Sequence, residues 1–165
     1  MAAHRRRVHG TTLMEAMVAV LLMSMCALGY AALQLRGLSA NSSSMWRSKA
    51  TLLAAEMSDR MRANRAGVTG GFYNSLTTPS AVTDCGATTA CTPTKMAKLD
   101  YWQWSAALGR ELPGANVAGV VCIDSTPDDG TSAAPACDGT GQAFAVKIFW
   151  QERGTETRLA VAVRP

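Results

Sequence analysis

Residues 5–35 of this 165-residue chain read RRRVHGTTLMEAMVAVLLMSMCALGYAALQL. Three arginines come first, and residues 16–33 then carry no charged side chain. An apolar run of this length can cross the hydrocarbon core of a bilayer as a helix. Because the positive charge precedes the run, the expected topology is a cytoplasmic N-terminus with the C-terminal part on the other side of the membrane.

Glu15 stands at the head of the apolar run. A carboxylate at the centre of a bilayer costs on the order of a few kcal/mol, so an ionisable residue in such a segment indicates a function and a charged partner. The alternative is that Glu15 lies in the headgroup zone, near the positive end of the helix dipole. Its position alone leaves both interpretations open.

The charge balance argues against nucleic-acid binding. The formal net charge of +4 includes the three leading arginines, and from Thr11 onward 13 Lys and Arg face 12 Asp and Glu. A nucleic-acid binder is expected to keep a basic face, which this near-neutral part of the chain gives little sign of. We therefore predict no nucleic-acid partner.

Residue types also narrow the possible chemistry. Both histidines, His4 and His9, precede Thr11, so the rest of the chain lacks the base of Ser-His-Asp and Cys-His catalysis and the commonest zinc ligand. No glycine-rich phosphate motif occurs, and Asp124 with Asp128-Asp129 matches a calcium loop only in part. We predict no enzymatic activity, no cofactor, no metal site and no small-molecule substrate.

Four of the five cysteines lie in Gly-, Thr-, Pro- and Asp-rich stretches, whereas Cys26 lies within the apolar run. Their spacing does not resemble paired metal ligands, and an extracytoplasmic location favours disulfides. Four cysteines allow three connectivities. We favour the two pairs that close short local loops, Cys85–Cys91 and Cys122–Cys137.

Hydrophobic periodicity predicts an α+β protein. We expect a basic stretch over residues 1–10, a membrane-crossing segment over 11–36 and a globular domain over 37–165. The first two ranges correspond to the leader and the assembly segment that the family resemblance given below implies. The first helix continues to about residue 64, where Asn64 and Gly67 suit a helix C-terminus. A disulfide loop over 68–94 leads to a second helix at about 95–110. Three antiparallel strands then follow, at about 116–123, 143–151 and 156–163.

The same patterns predict which side chains are buried. The first helix should present an apolar stripe, with Glu56 and Arg60 paired on its polar side. The stripe consists of Leu33, Leu38, Met45 or Trp46, Ala50, Leu53, Met57 and Met61. The second helix should bury Met96, Leu99, Trp102 and Ala106. In the second strand, Phe144, Val146, Ile148 and Trp150 should face the core, opposite Lys147 and Gln151.

The basic leader, Gly10, the five residues ending in Glu15 and the apolar helix together resemble the class III signal of type IV pilins. The resemblance implies cleavage by a prepilin peptidase between Gly10 and Thr11, followed by N-methylation of Thr11. The family usually begins its mature chain with Phe or Met, and Thr11 departs from that pattern. Glu15 would be the fifth mature residue, which in this family pairs subunits during assembly. The implied fold is a long spine helix packed on a small antiparallel sheet.

Several stretches are more similar to one branch, the type IV pilus modification proteins or PilV-like minor pilins. The most specific is residues 56–67, EMSDRMRANRAG, followed by 12–15, 28–34, 112–114 and 146–150. The branch implies a non-enzymatic subunit that helps to initiate pilus assembly, with a place at the pilus tip. Its partners would be other minor pilins, the major pilin, the prepilin peptidase and the inner-membrane assembly machinery. It would move from the inner membrane to the pilus at the cell surface.

Two alternatives remain open at this point. One is a minor pseudopilin of a type II secretion system, which would share the signal and the spine helix and differ in gene context. The other is a signal-anchored or secreted periplasmic protein, since Gly29-Tyr30-Ala31 is a passable export cleavage site. The mature N-terminus would be Thr11 for a pilin and near Ala32 for an exported protein.

Overall fold

The computed structural model of the protein describes residues 13–83, 85 and 90–165. These residues form three helices followed by three strands, and the predicted α+β class is confirmed. In chain order the elements are α1 (Leu13–Ala63), α2 (Arg65–Thr69), α3 (Pro93–Glu111), β1 (Ala118–Ile123), β2 (Phe144–Glu152) and β3 (Thr155–Val163).

The chain divides into two compact units, residues 1–42 and 43–165. Helix α1 runs through both of them without a break. The described part of the first unit is the helix from residue 13 to residue 42, and its side chains are exposed from residue 13 to residue 38. The second unit holds the rest of α1, the other helices and the sheet, and it contains the hydrophobic core.

The three strands form the predicted antiparallel meander in the order β1-β2-β3. Arg153 and Gly154, both at positive φ, turn β2 directly into β3. Two residues at positive φ are typical of the tight turns whose twist matches that of antiparallel strands. On the other side of the sheet, Leu76 exchanges two backbone hydrogen bonds with Val121 of β1, at 2.9 and 3.1 Å. The long connection after α2 thereby covers part of this edge.

Helix α1 packs on one face of the sheet through the C-terminal part of its predicted apolar stripe. Ala50, Leu53, Met57 and Met61 are buried as predicted. Further toward the N-terminus, Leu33, Leu38 and Met45 are exposed, whereas Trp46, the alternative to Met45, is half-buried and packs against the core. The sheet contributes alternate residues of β2 to the same core, as the strand pattern predicts: Phe144, Val146, Ile148 and Trp150.

The buried face of α3 differs from the prediction. Trp102 and Ala106 are exposed, Met96 and Leu99 are only half-buried, and the buried stripe is displaced around the helix to Ala97, Tyr101, Trp104 and Leu108. The reason is that two buried side chains carry polar atoms that need partners inside the core. Tyr101 donates its hydroxyl to the carbonyl oxygen of Gly119 at 2.6 Å, and Trp104 donates its indole N–H to that of Leu53 at 2.8 Å.

The helix boundaries follow from local chemistry. The Thr92 side chain caps α3 by accepting a hydrogen bond from the Lys95 amide, and Pro93 occupies the first turn, where its missing N–H is no loss. Asn64 and Gly67 were both predicted to end the first helix, but Gly67 is buried within the short helix α2, which the sequence did not predict. Asn64 directly follows α1, as predicted. It also caps α2, since its side-chain oxygen accepts a hydrogen bond from the Gly67 amide at 3.1 Å.

The second face of the sheet is also covered, which the strand pattern did not predict. Lys147 and Gln151 were predicted to face away from the core. Lys147 does so, but it is nevertheless fully buried. The segment 124–139 between β1 and β2 lies over this face, where a second small core forms. That core contains Val120, Cys122, Ala145 and Phe149, with Ala118 and Cys137 packed against them.

Gly119→Ala tests how closely α3 packs on β1. A Cβ at Gly119 would lie 2.4 Å from atoms of both Trp104 and Leu108, so we expect the substitution to lower the free energy of unfolding by about 1–3 kcal/mol. Gly109→Ala is the matched control, because a Cβ there meets nothing within 4 Å. In a helix interior that change should stabilise, by up to about 1 kcal/mol. Denaturant unfolding of the full chain in detergent, followed by tryptophan fluorescence, measures both. Equal effects of the two substitutions would contradict this packing.

Candidate functional site

The most prominent surface of the described residues is an exposed apolar segment, residues 13–35 of α1. The helix that carries it is long and apolar enough to cross a membrane. Soluble proteins rarely expose a contiguous apolar surface of this extent, so such a surface indicates a membrane or a partner protein. Its large apolar side chains are each more than half exposed: Leu13, Met14, Met17, Val18, Val20, Leu21, Leu22, Met23, Met25, Leu28, Tyr30, Leu33 and Leu35.

Glu15 is the acidic residue of the first turn of α1, and its side chain is exposed. A carboxylate in that turn interacts favourably with the partial positive charge of the helix N-terminus. The predicted cleavage site, Gly10 and Thr11, lies outside the described residues. Cys26, within the apolar segment, is exposed and has a free thiol.

The stretch 56–67 forms a junction between α1 and α3. Arg60 donates hydrogen bonds to Glu56 Oε1 at 2.8 Å and to Gln103 Oε1 at 2.9 Å, so the predicted pair with Glu56 is confirmed. Its guanidinium also lies 3.4 Å from Asp100 Oδ1. One arginine at the end of α1 therefore holds two positions on α3 in place.

Asp100, a carboxylate in the core, completes this junction. It accepts a hydrogen bond of 2.5 Å from the hydroxyl of Tyr73, which in turn accepts one from the Asn64 amide at 3.2 Å. Burial raises the pKa of Asp100, although its contacts with Tyr73 and Arg60 oppose that shift. Burial and the hydrogen bond to Asp100 likewise raise the pKa of Tyr73 above its ordinary range. These polar groups form hydrogen bonds with one another. The polar residues of the stretch 56–67 are therefore explained by their role in joining α1 to α3.

Two disulfides are present in the structure, Cys85–Cys91 and Cys122–Cys137. The second joins the C-terminal end of β1 to the segment 124–139. Next to it, the Ser125 hydroxyl donates a hydrogen bond to Asp138, and this bond, together with one from the Thr140 amide, lowers the pKa of that carboxyl. The disulfide and these bonds hold the segment over the second face of the sheet. Formation of both disulfides in the cell stays a prediction.

Lys147, Asp124 and Asp129 form a buried charge cluster on that second face. Lys147 Nζ lies 2.5 Å from Asp124 Oδ2 and 2.7 Å from Asp129 Oδ1, and it donates to the Pro135 carbonyl at 2.8 Å. The side chains of Lys147 and Asp124 are both 0% exposed, whereas that of Asp129 is 42% exposed. Burial alone would lower the pKa of Lys147, but its contacts with the two carboxylates outweigh that effect and raise it.

Strand alternation missed this cluster because it assigned Lys147 to the face opposite the core. A usable signal was present in the same strand. Ala145 and Phe149 share the face of Lys147, so that face is largely apolar and requires a cover. The acidic residues of the following segment could have been read as partners for a buried lysine, since a buried charge needs compensation.

Cys122, Asp124 and Cys137 come close enough together to suggest metal ligation. Both sulfur atoms are joined in a disulfide, so neither can act as a thiolate ligand. Asp124 is also engaged by the Lys147 ammonium. These three residues therefore do not fit a metal site.

The exposed apolar segment fits a membrane-spanning helix, and one comparison with known families bears on what kind of protein carries it. Residues 32–102 match the model of the Tt1218-like family, described as type IV pilin Tt1218. The match begins in the apolar segment and extends into α3. Over this range the chain is similar to type IV pilins, which supports the interpretation of the chain as a pilin subunit. Comparisons with curated proteins and with solved structures found no match.

Peptide mapping without reduction tests the disulfides in protein from its native compartment. We expect links Cys85–Cys91 and Cys122–Cys137, with Cys26 recovered as a free thiol, because each link closes a local loop. Alkylation of the unreduced protein provides the control, since it should label Cys26 alone. Crossed pairs, or four free thiols, would show that the loop assignment or the extracytoplasmic location is wrong.

Proposed function

We propose that the protein is a minor pilin of a type IV pilus, a structural subunit that takes part in the initiation of pilus assembly. The observation that carries this proposal is the exposed apolar segment with Glu15 in its first turn, continuous with the helix of a separately folded unit. A helix of this kind can rest in the membrane and later exchange lipid for the helices of neighbouring subunits. The family match over residues 32–102 supports the coarser part of this proposal, a type IV pilin subunit.

Maturation requires removal of the basic leader at Gly10. Glycine lacks a Cβ, so the backbone at Gly10 can approach the residues of a peptidase cleft closely. Cleavage between Gly10 and Thr11 removes Arg5, Arg6 and Arg7 and creates a new amine four residues before Glu15. Methylation of that amine at Thr11 would retain its positive charge.

Gly10→Val tests the processing step. The branched side chain should block the peptidase cleft, so the variant should accumulate as a membrane-retained precursor of full length. Immunoblotting of membrane fractions, with the N-terminal mass determined, distinguishes precursor from mature protein. The parent should begin at Thr11. A mature-size band from Gly10→Val would contradict the cleavage site, and a start near Ala32 in the parent would favour the exported-protein alternative.

Glu15 has two available partners after cleavage. Its own chain offers the Thr11 amine four residues earlier in the sequence, and an assembly offers the same amine on a neighbouring subunit. Charges removed from water attract strongly, and an unpaired one is penalised. An incoming subunit that is out of register would leave its carboxylate unpaired among apolar side chains. The pair with a neighbour would therefore select the register, while the apolar side chains of residues 16–35 would supply most of the adhesion.

Glu15→Ala tests this pairing. The variant should still be cleaved after Gly10 and still insert in the membrane, but it should co-purify poorly with partner minor pilins and lower surface piliation. Asp59→Ala is the matched control, because it removes an exposed carboxylate from the same helix outside the apolar segment. Normal incorporation and piliation with Glu15→Ala would refute the pairing role.

The co-purified partners also test the kind of assembly. For a type IV pilus, we expect other minor pilins, the major pilin and components of the inner-membrane assembly machinery. Recovery of secretion pseudopilins instead would assign the chain to a type II secretion system. The proposed role involves no enzymatic activity and no cofactor.

A further inference from the structure

The buried charge cluster on the second face of the sheet places an amine against a carboxyl group away from water. Asp124 directly follows β1 and Lys147 lies in the middle of β2, and both side chains are 0% exposed. Lys147 Nζ is 2.5 Å from Asp124 Oδ2, which is its shortest contact with an acidic side chain. The ammonium and the carboxylate attract each other as opposite charges. Phe149 and Ala145 belong to the small apolar core on the same face of the sheet.

We propose that Lys147 and Asp124 are a self-modification site, at which the two side chains condense to an intramolecular amide with loss of one water molecule. The structure holds Lys147 Nζ directly against the Asp124 carboxyl group, and two reactants held together in a fixed geometry react far faster than free ones. A buried ion pair costs desolvation energy that its mutual attraction offsets only in part. A neutral amide at the same place removes that cost.

The reaction needs one internal proton shift before the bond forms. The two carboxylates favour the ammonium form of Lys147, so the reactive state is the minor one in which one proton has moved from Nζ to Asp124 Oδ2. The free electron pair on Nζ then attacks Asp124 Cγ. Negative charge develops on Asp124 Oδ1, which accepts a hydrogen bond from the Thr126 amide at 3.0 Å, and this donor stabilises it. Because the reactive state is minor, the bond forms slowly after folding.

Asp129 is placed to move the remaining protons. Its Oδ1 lies 2.7 Å from Lys147 Nζ, within reach for general acid–base catalysis. It accepts a proton from the attacking nitrogen and then gives one to the departing Oδ2 hydroxyl, which leaves as water. Asp129 ends as the carboxylate that it was at the start, so atoms and charge balance. Its partly exposed side chain marks a route by which the water can leave.

Trypsin provides a direct assay on the full-length protein in detergent. The sequence from residue 111 to residue 153 has Lys147 as its single internal cleavage site. A free Lys147 yields two peptides, 111–147 and 148–153. After full reduction and alkylation, the proposed amide should instead yield one peptide, 111–153, lighter than its sequence mass by one water molecule. Fragmentation should join residue 124 to residue 147.

Variants and an internal control separate the amide from a persistent ion pair. Lys49 lies 2.9 Å from Glu111 Oε2, but both side chains are solvent-exposed, so trypsin should cleave after Lys49 completely. Asp124→Ala should restore complete cleavage after Lys147. Asp129→Asn should slow conversion of freshly purified protein at least tenfold. Cleavage after Lys147 in parent protein aged for several days would overturn the proposal, whatever the outcome of the pilus experiments. An unchanged rate in Asp129→Asn would overturn the assigned proton transfer.

Discussion

Trp104 is buried at the point where α1, α3 and β1 meet, and the packing of the globular unit depends on it. Its indole N–H requires an acceptor inside the core and finds the Leu53 carbonyl of α1. Its ring lies so close to Gly119 that no side chain fits between α3 and β1 there. These two conditions set the rotation of α3 and its distance from the sheet. They explain why α3 buries Tyr101 and Leu108 and leaves Trp102 exposed.

The two faces of the sheet are covered in physically different ways. The first face packs against helices and is almost entirely apolar, which allows large side chains such as Trp150 to fill it. The second face is covered by an irregular segment that has no apolar stripe of its own. Such a segment must be held by specific bonds, and the Cys122–Cys137 disulfide and the Lys147 cluster supply them. Lys147 therefore occupies a position that an apolar residue would take beneath a helix.

Helix α1 carries two different surface patterns, one suited to packing on a sheet and one suited to an apolar environment. From residue 50 onward, one stripe is buried and the opposite side is polar, as a helix on a sheet requires. Over residues 13–35 the apolar side chains point in all directions, which suits lipid or several neighbouring helices at once. Glu15 is the one charged residue in this range. Its carboxylate requires a charged partner only where water is excluded. The same helix thus fits both membrane residence and subunit assembly.

The sequence by itself determined the α+β class, the order of the two long helices and three strands, the hairpin at Arg153-Gly154 and the apolar segment with Glu15 at its head. These features depend on local periodicity, turn chemistry and charge, which neighbouring residues in the chain express directly. The sequence did not predict the short helix α2. The tertiary structure alone decided the buried face of α3, the dual role of Asn64 and the burial of Lys147. Each of these depends on a partner distant in sequence, such as Leu53 for Trp104 or Asp124 for Lys147. The residues next to such a side chain in the sequence do not indicate which distant residue will become its partner, so its burial cannot be predicted locally.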